Sequence, residues 1–417
     1  MNLNKYSFGI GDRFGMQGMA QLRAIKKAED DGIHITPVWN KSNREHTIIH
    51  TSPSDTRKAA DLAVKLSKWN EPYFVDADHI NLSNVDPFIE PCDFFTIDIS
   101  DFIGAPVDEK SLNAFALKNQ RFIGSLSLKG IDTPIVINEE IIRRTGIRFL
   151  AAVKNAGLIY QHILRMKNGK DLIIEVSMDE VKEAQSPVEL LLILSALSDE
   201  KIPVQTIAPK FTGRFNKGVD YVGDIKAFEK EFEEDLLIID FAIKEFNLPA
   251  DLKISVHSGS DKFSLYPVIG NLIRKHDKGI HIKTAGTTWL EEMIGLSMAD
   301  EDSLDLAKSI YSIALKRINE LTKPYSSVID IDINQLPSSL EILRWSNDQF
   351  SHAIRHNPAH PEYNPHMRQL LHVSYKVAVE YGIIFTDALK QHTEIIGEQV
   401  TENLYERHIK RLFENRN

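Results

Sequence analysis

One cysteine, Cys92, occurs in 417 residues. That excludes an internal disulfide framework and any cysteine-built zinc knuckle, and it suits a reducing compartment, the cytoplasm. Cys92 itself reads as a small apolar residue beside a strand. No apolar run approaches the roughly 18 residues that a membrane helix needs. The most apolar stretch, Val188 to Leu197, soon meets Asp199, Glu200 and Lys201. The first residues, Met1 to Tyr6, carry no apolar segment, so no signal peptide is expected. Positive charge is also scarce: 49 Lys plus Arg against 59 Asp plus Glu leave a net charge of −10. Nucleic-acid binding needs a basic face and is set aside. A phosphate-binding glycine turn is missing too. Gly9 to Gly15 offers glycines, but Asp12, Arg13 and Phe14 crowd the positions where backbone would approach a pyrophosphate. There is no internal repeat and no low-complexity segment.

What is present is a regular alternation. Short apolar runs recur at Tyr6 to Ile10, Ile33 to Trp39, Tyr73 to Ala77, Phe94 to Ile99, Leu172 to Val176, Val204 to Ala208, Lys253 to Val256 and Ile280 to Lys283. Most are followed by helical periodicity. Gln17 to Asp30 ends before Gly32, and Ser54 and Asp55 can cap a segment ending near Trp69. Buried strands alternating with amphipathic helices predict an α/β fold with a parallel sheet, and eight such units predict a (β/α)8 TIM-like barrel. Residues 1–290 are assigned to the barrel. An insertion after strand 4, about 104–169, would hold an extended piece near Ile131 to Asn138 and a helix from Glu139 to Lys167. Residues 291–417 read as a helical C-terminal extension packed on the barrel. Interruptions are expected at Lys323 to Ser338 and Asn357 to Pro365.

In such a barrel the active site lies at the C-terminal strand ends. The first strand delivers Asp12 and Arg13, the third Asp76, Asp78 and His79, and the fourth Asp98. The fifth carries Glu175, the sixth ends at Lys210, the seventh at His257, and the eighth presents His281 and Lys283. Leu172, Ile173 and Ile174 precede Glu175, which should desolvate its carboxylate and raise its pKa toward acid/base use. The alternative is an ion pair with Lys210 or Lys283 that fills the barrel. His79, His257 and His281 come from three strands, and imidazoles with nearby carboxylate suit Zn²⁺, Mn²⁺ or Ni²⁺. Lys210, Arg214, Lys217, Lys262 and Lys283 cluster there in an acidic protein, which points to a small anionic substrate. The stretch His352, His356, His360, His366 and His372 is broken by Pro358, Pro361 and Pro365 and reads as a structural loop, with His366 or Arg368 over the barrel mouth. Ser258 and Ser260 lack a nucleophile elbow, so a serine hydrolase is not expected.

Seven segments together resemble one family. They are Gly11-Asp12-Arg13, Asp76 to His79, Glu175 to Ser177, Lys217 to Tyr221, His257 to Ser264, His281 to Thr287 and Arg368 to Val373. In this order they resemble the tagaturonate/fructuronate epimerases. The blocks around His257 and His281 are long and specific. Two departures stand out: the chain starts nearly at its first strand, and the insertion differs around Ser125 to Asn138. The resemblance implies a metal-dependent epimerase of hexuronate catabolism that interconverts D-tagaturonate and D-fructuronate. Asp78 and Glu175 match an acid/base pair, and His79 and His257 match metal ligands with His281 as third. Asp12, Arg13, Lys210, Arg214 and Lys283 would bind the sugar acid. A metal-dependent aldolase acting on a related keto sugar acid, or an epimerase of another ketose, is the rival reading. A non-catalytic sugar-acid-binding protein is the rival from another class. Neither a membrane nor a nucleic-acid partner is expected; a homo-oligomer is compatible with the sequence.

Overall fold

The eight apolar runs form parallel strands that close on themselves. The computed structural model describes residues 1, 3–131, 134–284 and 286–414. The first barrel strands are β1 (Tyr6–Ile10), β2 (Ile35–Ser42), β3 (Phe74–Ile80) and β4 (Phe94–Asp98). A small antiparallel pair follows, β5 (Gly124–Leu126) with β6 (Ile135–Ile137). The ring resumes with β7 (Ile173–Ser177), β8 (Thr206–Ala208), β9 (Lys253–Val256) and β10 (Ile280–Lys283). Neighbours in the ring pair in parallel, and β10 closes on β1 with Tyr6 opposite Ile280. The chain is a (β/α)8 barrel with an insertion between β4 and β7 and a helical C-terminal region.

Strand alternation divides the side chains. Val75, Ala77, Phe95, Ile97, Ile174 and Val176 face outward into the main apolar core shared with the helices. Leu3, Val38, Phe74, Phe94 and Ile173 form a separate buried plug inside the ring. Two residues further along each strand, the inward positions turn polar: Asn40, Asp76, Thr96 and Glu175. The barrel is therefore closed by apolar side chains at its N-terminal end and charged toward its mouth. β2 and β3 extend beyond the sequence expectation, to Ser42 and Ile80. Their polar ends looked like loop, but they remain strand because this interior layer is polar.

Local signals account for most helices. Gly32, at φ +78, stops the helix Gly18–Asp30. Ser52, rather than Ser54, starts the helix Pro53–Ser67; its N–H donates to Asp55 and Pro53 takes the first helical position. The insertion carries the 28-residue helix Glu139–Met166. Helices from Thr287–Ala299 onward build a second core around Trp289 and Tyr311. Pro365 opens the helix Pro365–His372 under an Asn364 cap, where the sequence reading had a helix breaker. Leu404, Ile409 and Leu412 near the C-terminus return to the barrel core. Among the described residues no helix is long and apolar enough to cross a membrane.

Candidate active site

The inward side chains of β3, β7, β9 and β10 meet at the mouth. Lys283, 4% exposed, projects across the barrel axis. Gly9 in β1 leaves the room for it: a Cβ there would lie 2.8 Å from Lys283 Cγ. The Lys283 ammonium donates to Asp76 Oδ2 at 2.8 Å, Asp78 Oδ1 at 2.7 Å and Thr96 Oγ1 at 2.6 Å, and lies 3.0 Å from Glu175 Oε1. Burial disfavours its charge, but three carboxylates outweigh that and hold its pKa well above the ordinary lysine value.

Glu175 is fully buried and does not reach the cleft. It accepts from Thr206 at 2.7 Å and Thr96 at 3.2 Å, and its Oε1 lies 2.6 Å from His257 Nε2. Burial pushes its carboxyl up, yet Lys283 and His257 prevail and keep it well below the usual range. The sequence expectation of a raised pKa is thus corrected: the alternative it left open, an ion pair with Lys283, is the one that forms, and His257 adds a second cationic neighbour. Among these acids, Asp76 moves the other way. Burial, with Asp78 and Glu175 close by, raises it to about 7 against the pull of Lys283.

Two imidazoles, His79 and His257, meet edge to face above this layer, their ring centres 5.2 Å apart. His257 Nδ1 lies 3.0 Å from Asp179 Oδ1. His79 sits at a bulge in β3 with φ +52, a left-handed conformation costing about 1 kcal/mol or more. Its Nδ1 lies 3.0 Å from Asp98 Oδ2. One potential ligand atom each from His79, Asp179 and His257 falls within 4.8 Å of the others. Burial opposes charge on both rings, but Asp78 raises His79 well above its ordinary value, and Asp179 with Glu175 raises His257 to about 9.

These groups form one end of a cleft of about 820 Å³, counting its solvent-filled mouth. Lys210 and Lys217 line the cleft together with Phe211 and Phe215. Neither lysine ammonium makes a hydrogen bond or ion pair with the described residues. Burial lowers the Lys210 pKa. The cleft thus combines carboxylates and imidazoles from the ends of β3, β7 and β9 with the ammonium groups of Lys210 and Lys217.

A sequence profile of the family described as tagaturonate epimerase matches residues 1–415. The chain belongs to the tagaturonate epimerase family. The epimerase is an isomerase acting on carbohydrates. It is similar to the tagaturonate/fructuronate epimerase of Thermotoga maritima, 29% identical over 427 residues, covering 97% of this chain and 79% of that one. Two solved structures of the fructuronate-tagaturonate epimerase UxaE from Cohnella laeviribosi share its fold at 22% identity. The form with one glycerol gives a TM-score of 0.82 and the native form 0.81. Each alignment covers 99% of this chain and 82% of the other.

Of the residues singled out in the sequence, the epimerase brings Asp78, His79, Lys210, His257 and Lys283 to the cleft, with Glu175 directly beneath. His281 falls outside the group that can share an ion. Its Nδ1 meets Ser7 Oγ at 2.8 Å, and burial above all lowers its pKa to about 3. Two residues before Lys283 on one strand means a layer deeper in the barrel. Asp12 accepts the N–H groups of Gly15 and Gln17, a loop clamp. Arg13 pairs with Glu45, donates to the His372 carbonyl and stacks on Tyr375. Arg214 pairs with Asp330 on the surface. Asp12, Arg13 and Arg214 do not line the cleft. Neither does His366, which accepts the Asp332 N–H, nor Arg368, which grips Asp261; the expectation that one of them covers the mouth is corrected. His372 lines it instead. Ala285, within the His281 motif, lies outside the described residues. Asp179 was missed, although it is an acid two residues beyond β7; Lys217 was seen only as part of a basic cluster.

Proposed function

We propose that the epimerase interconverts D-tagaturonate and D-fructuronate with the help of a divalent cation, Zn²⁺, Mn²⁺ or Ni²⁺, held by His79, Asp179 and His257. One observation carries this reading: each imidazole has one nitrogen engaged by a carboxylate, the half-buried Asp98 or the fully buried Glu175, while its ring converges with Asp179. Carboxylates bonded to the far nitrogen are how metal-binding histidines are oriented. The charge balance supports the same fit. Asp76, Asp78, Asp98, Glu175 and Asp179 crowd one site, and Lys283 is the lysine in ion-pair contact with them among the described residues. The surplus raises the histidine pKa values, and a cation would relieve it. When bound, such a cation supplies Lewis-acid stabilisation for negative charge gathering on the substrate carbonyl oxygen.

The two ketouronates differ at C4 in ketose numbering, which is β to the C2 carbonyl. Removing the C4 hydrogen directly would leave a carbanion with no carbonyl to delocalise it. Reversible cleavage avoids this. Asp78, ionised and facing the cleft, takes the C4 hydroxyl proton; the C3–C4 bond breaks, its electrons pass to the C2 oxygen as an enediolate, and C4 becomes an aldehyde. The aldehyde turns over, C3 adds to its other face, and the proton returns to oxygen. Lys283 links Asp78 to Asp76 and Glu175, so Asp76 can share the proton near neutral pH. Glu175 acts through Lys283 and His257 rather than by touching substrate. Lys210 and Lys217 bind the uronate carboxylate, which keeps the aldehyde fragment in place while it turns.

The direct test is to incubate metal-loaded enzyme with D-tagaturonate and follow the carbons by NMR. Appearance of D-fructuronate supports the reading; release of two three-carbon fragments would make the protein an aldolase. Glu175→Gln, assayed at saturating metal, is expected to lower kcat by about 100-fold or more with circular dichroism unchanged. Near-normal kcat would remove Glu175 from the relay. Lys210→Met and Lys217→Met should each raise KM for the uronate by roughly 10-fold while changing kcat little, as expected for a charge-assisted contact present throughout the reaction. An unchanged KM in both would place the carboxylate elsewhere.

A further inference from the structure

His372 is the last residue of the helix Pro365–His372, more than 80 residues beyond the final barrel strand, yet it lines the cleft. Its position is built from several directions. Arg13 Nη1 donates to the His372 carbonyl at 3.0 Å, and Trp289 Nε1 donates to the Leu371 carbonyl at 2.6 Å. The ring lies between two glycines from different barrel loops. Gly218 follows β8 with φ +75, and a Cβ there would come 3.3 Å from Nδ1. Gly286 follows β10, and a Cβ there would overlap the ring itself. Any other residue at Gly286 would displace the imidazole.

As a core residue this side chain is a poor choice. Its Nδ1 is buried with no hydrogen-bond partner among the described residues, which costs stability that a leucine of similar size would not lose. Burial first, then Arg13 and Lys217, keep the ring neutral, with a pKa well below the ordinary histidine value. An unmet lone pair is better tolerated than an unmet N–H, which leaves the proton on Nε2. The ring therefore has a hydrogen to donate, close enough to Lys217 to feel its charge.

We propose that His372, delivered by the C-terminal helices, is a substrate-binding residue that donates from Nε2 to the uronate carboxylate beside Lys217. It gives the cleft a neutral, directional donor where a further cation would repel the lysines, and it makes the helical extension part of the specificity pocket. This rests on the reading of the cleft as a sugar-acid site and names a contact within it.

The test compares wild type with His372→Leu, which fills the socket without a donor, and His372→Gln, whose amide nitrogen can reach near Nε2. Calorimetric binding of D-tagaturonate and of D-tagatose, which has a hydroxymethyl group in place of the carboxylate, is measured beside kcat and KM. The expected result for His372→Leu is a uronate Kd and KM raised roughly 10-fold, with tagatose binding changed less than about 2-fold and the uronate affinity largely restored in His372→Gln. His372→Asn, too short to reach the carboxylate, replaces the leucine variant if that one does not fold and carries the same expectation. A folded Leu or Asn variant that binds the uronate as tightly as wild type overturns the proposal, as does equal weakening for both sugars. Because binding is read separately, wild-type binding without turnover would refute the epimerisation chemistry while leaving the His372 contact to be judged by the same titrations.

Discussion

Asp179→Asn is expected to weaken Mn²⁺, Ni²⁺ or Zn²⁺ binding by about 100-fold or more and to abolish turnover at ordinary metal concentrations. The substitution keeps the shape of the side chain, and its amide oxygen can still meet His257 Nδ1, 3.0 Å away in the native protein. What it removes is the one negative charge in the group His79, Asp179 and His257. A divalent ion depends on that charge more than on the hydrogen bond. Excess metal should recover part of the activity of Asp179→Asn, because the imidazoles remain. Chelation of the native enzyme should remove activity, and adding back one of these metals should restore it. A variant with normal metal content and normal turnover would show that the acids and imidazoles at the mouth serve another purpose.

Lys283→Met is expected to lose both stability and activity. The native ammonium bonds Asp76, Asp78 and Glu175 within 3.0 Å. Removing one partner of a buried ion pair leaves the other uncompensated, at a typical cost of roughly 3–5 kcal/mol, and here three acids are left. The midpoint in denaturant should fall sharply, and kcat should drop to background because Asp78 loses its link to Asp76. Adding Asp76→Asn and Glu175→Gln to Lys283→Met should recover much of the stability without recovering activity. If Lys283→Met alone unfolds at the native denaturant concentration, the ammonium does not hold these carboxylates together. If the triple variant is active, the relay is wrong.

Much of the barrel was legible because its strands are near-continuous apolar runs, and strand alternation then points Glu175, His257 and Lys283 inward. The same period separates His281 from Lys283 by one layer, so its exclusion from the mouth was also readable. Asp179, Lys217 and His372 were harder. They sit on loops and on a late helix, where no period says which way a side chain turns. The sign of the Glu175 shift was harder for a related reason: burial was visible from Ile173 and Ile174 and an ion pair with Lys283 was an open alternative, but the contact with His257, from a strand about 80 residues away, was not readable. Asp12 and Arg13 misled because a strand-end charge can serve the backbone as readily as a ligand. Asp12 clamps its own loop, and Arg13 holds the helix that carries His372.

The most direct measurement is an anomalous-scattering map from crystals of the epimerase soaked in Mn²⁺. One strong peak is expected, bonded to an imidazole nitrogen of His79, a carboxylate oxygen of Asp179 and an imidazole nitrogen of His257. A map with no peak among these three residues, under conditions where the soaked protein is active, would contradict it.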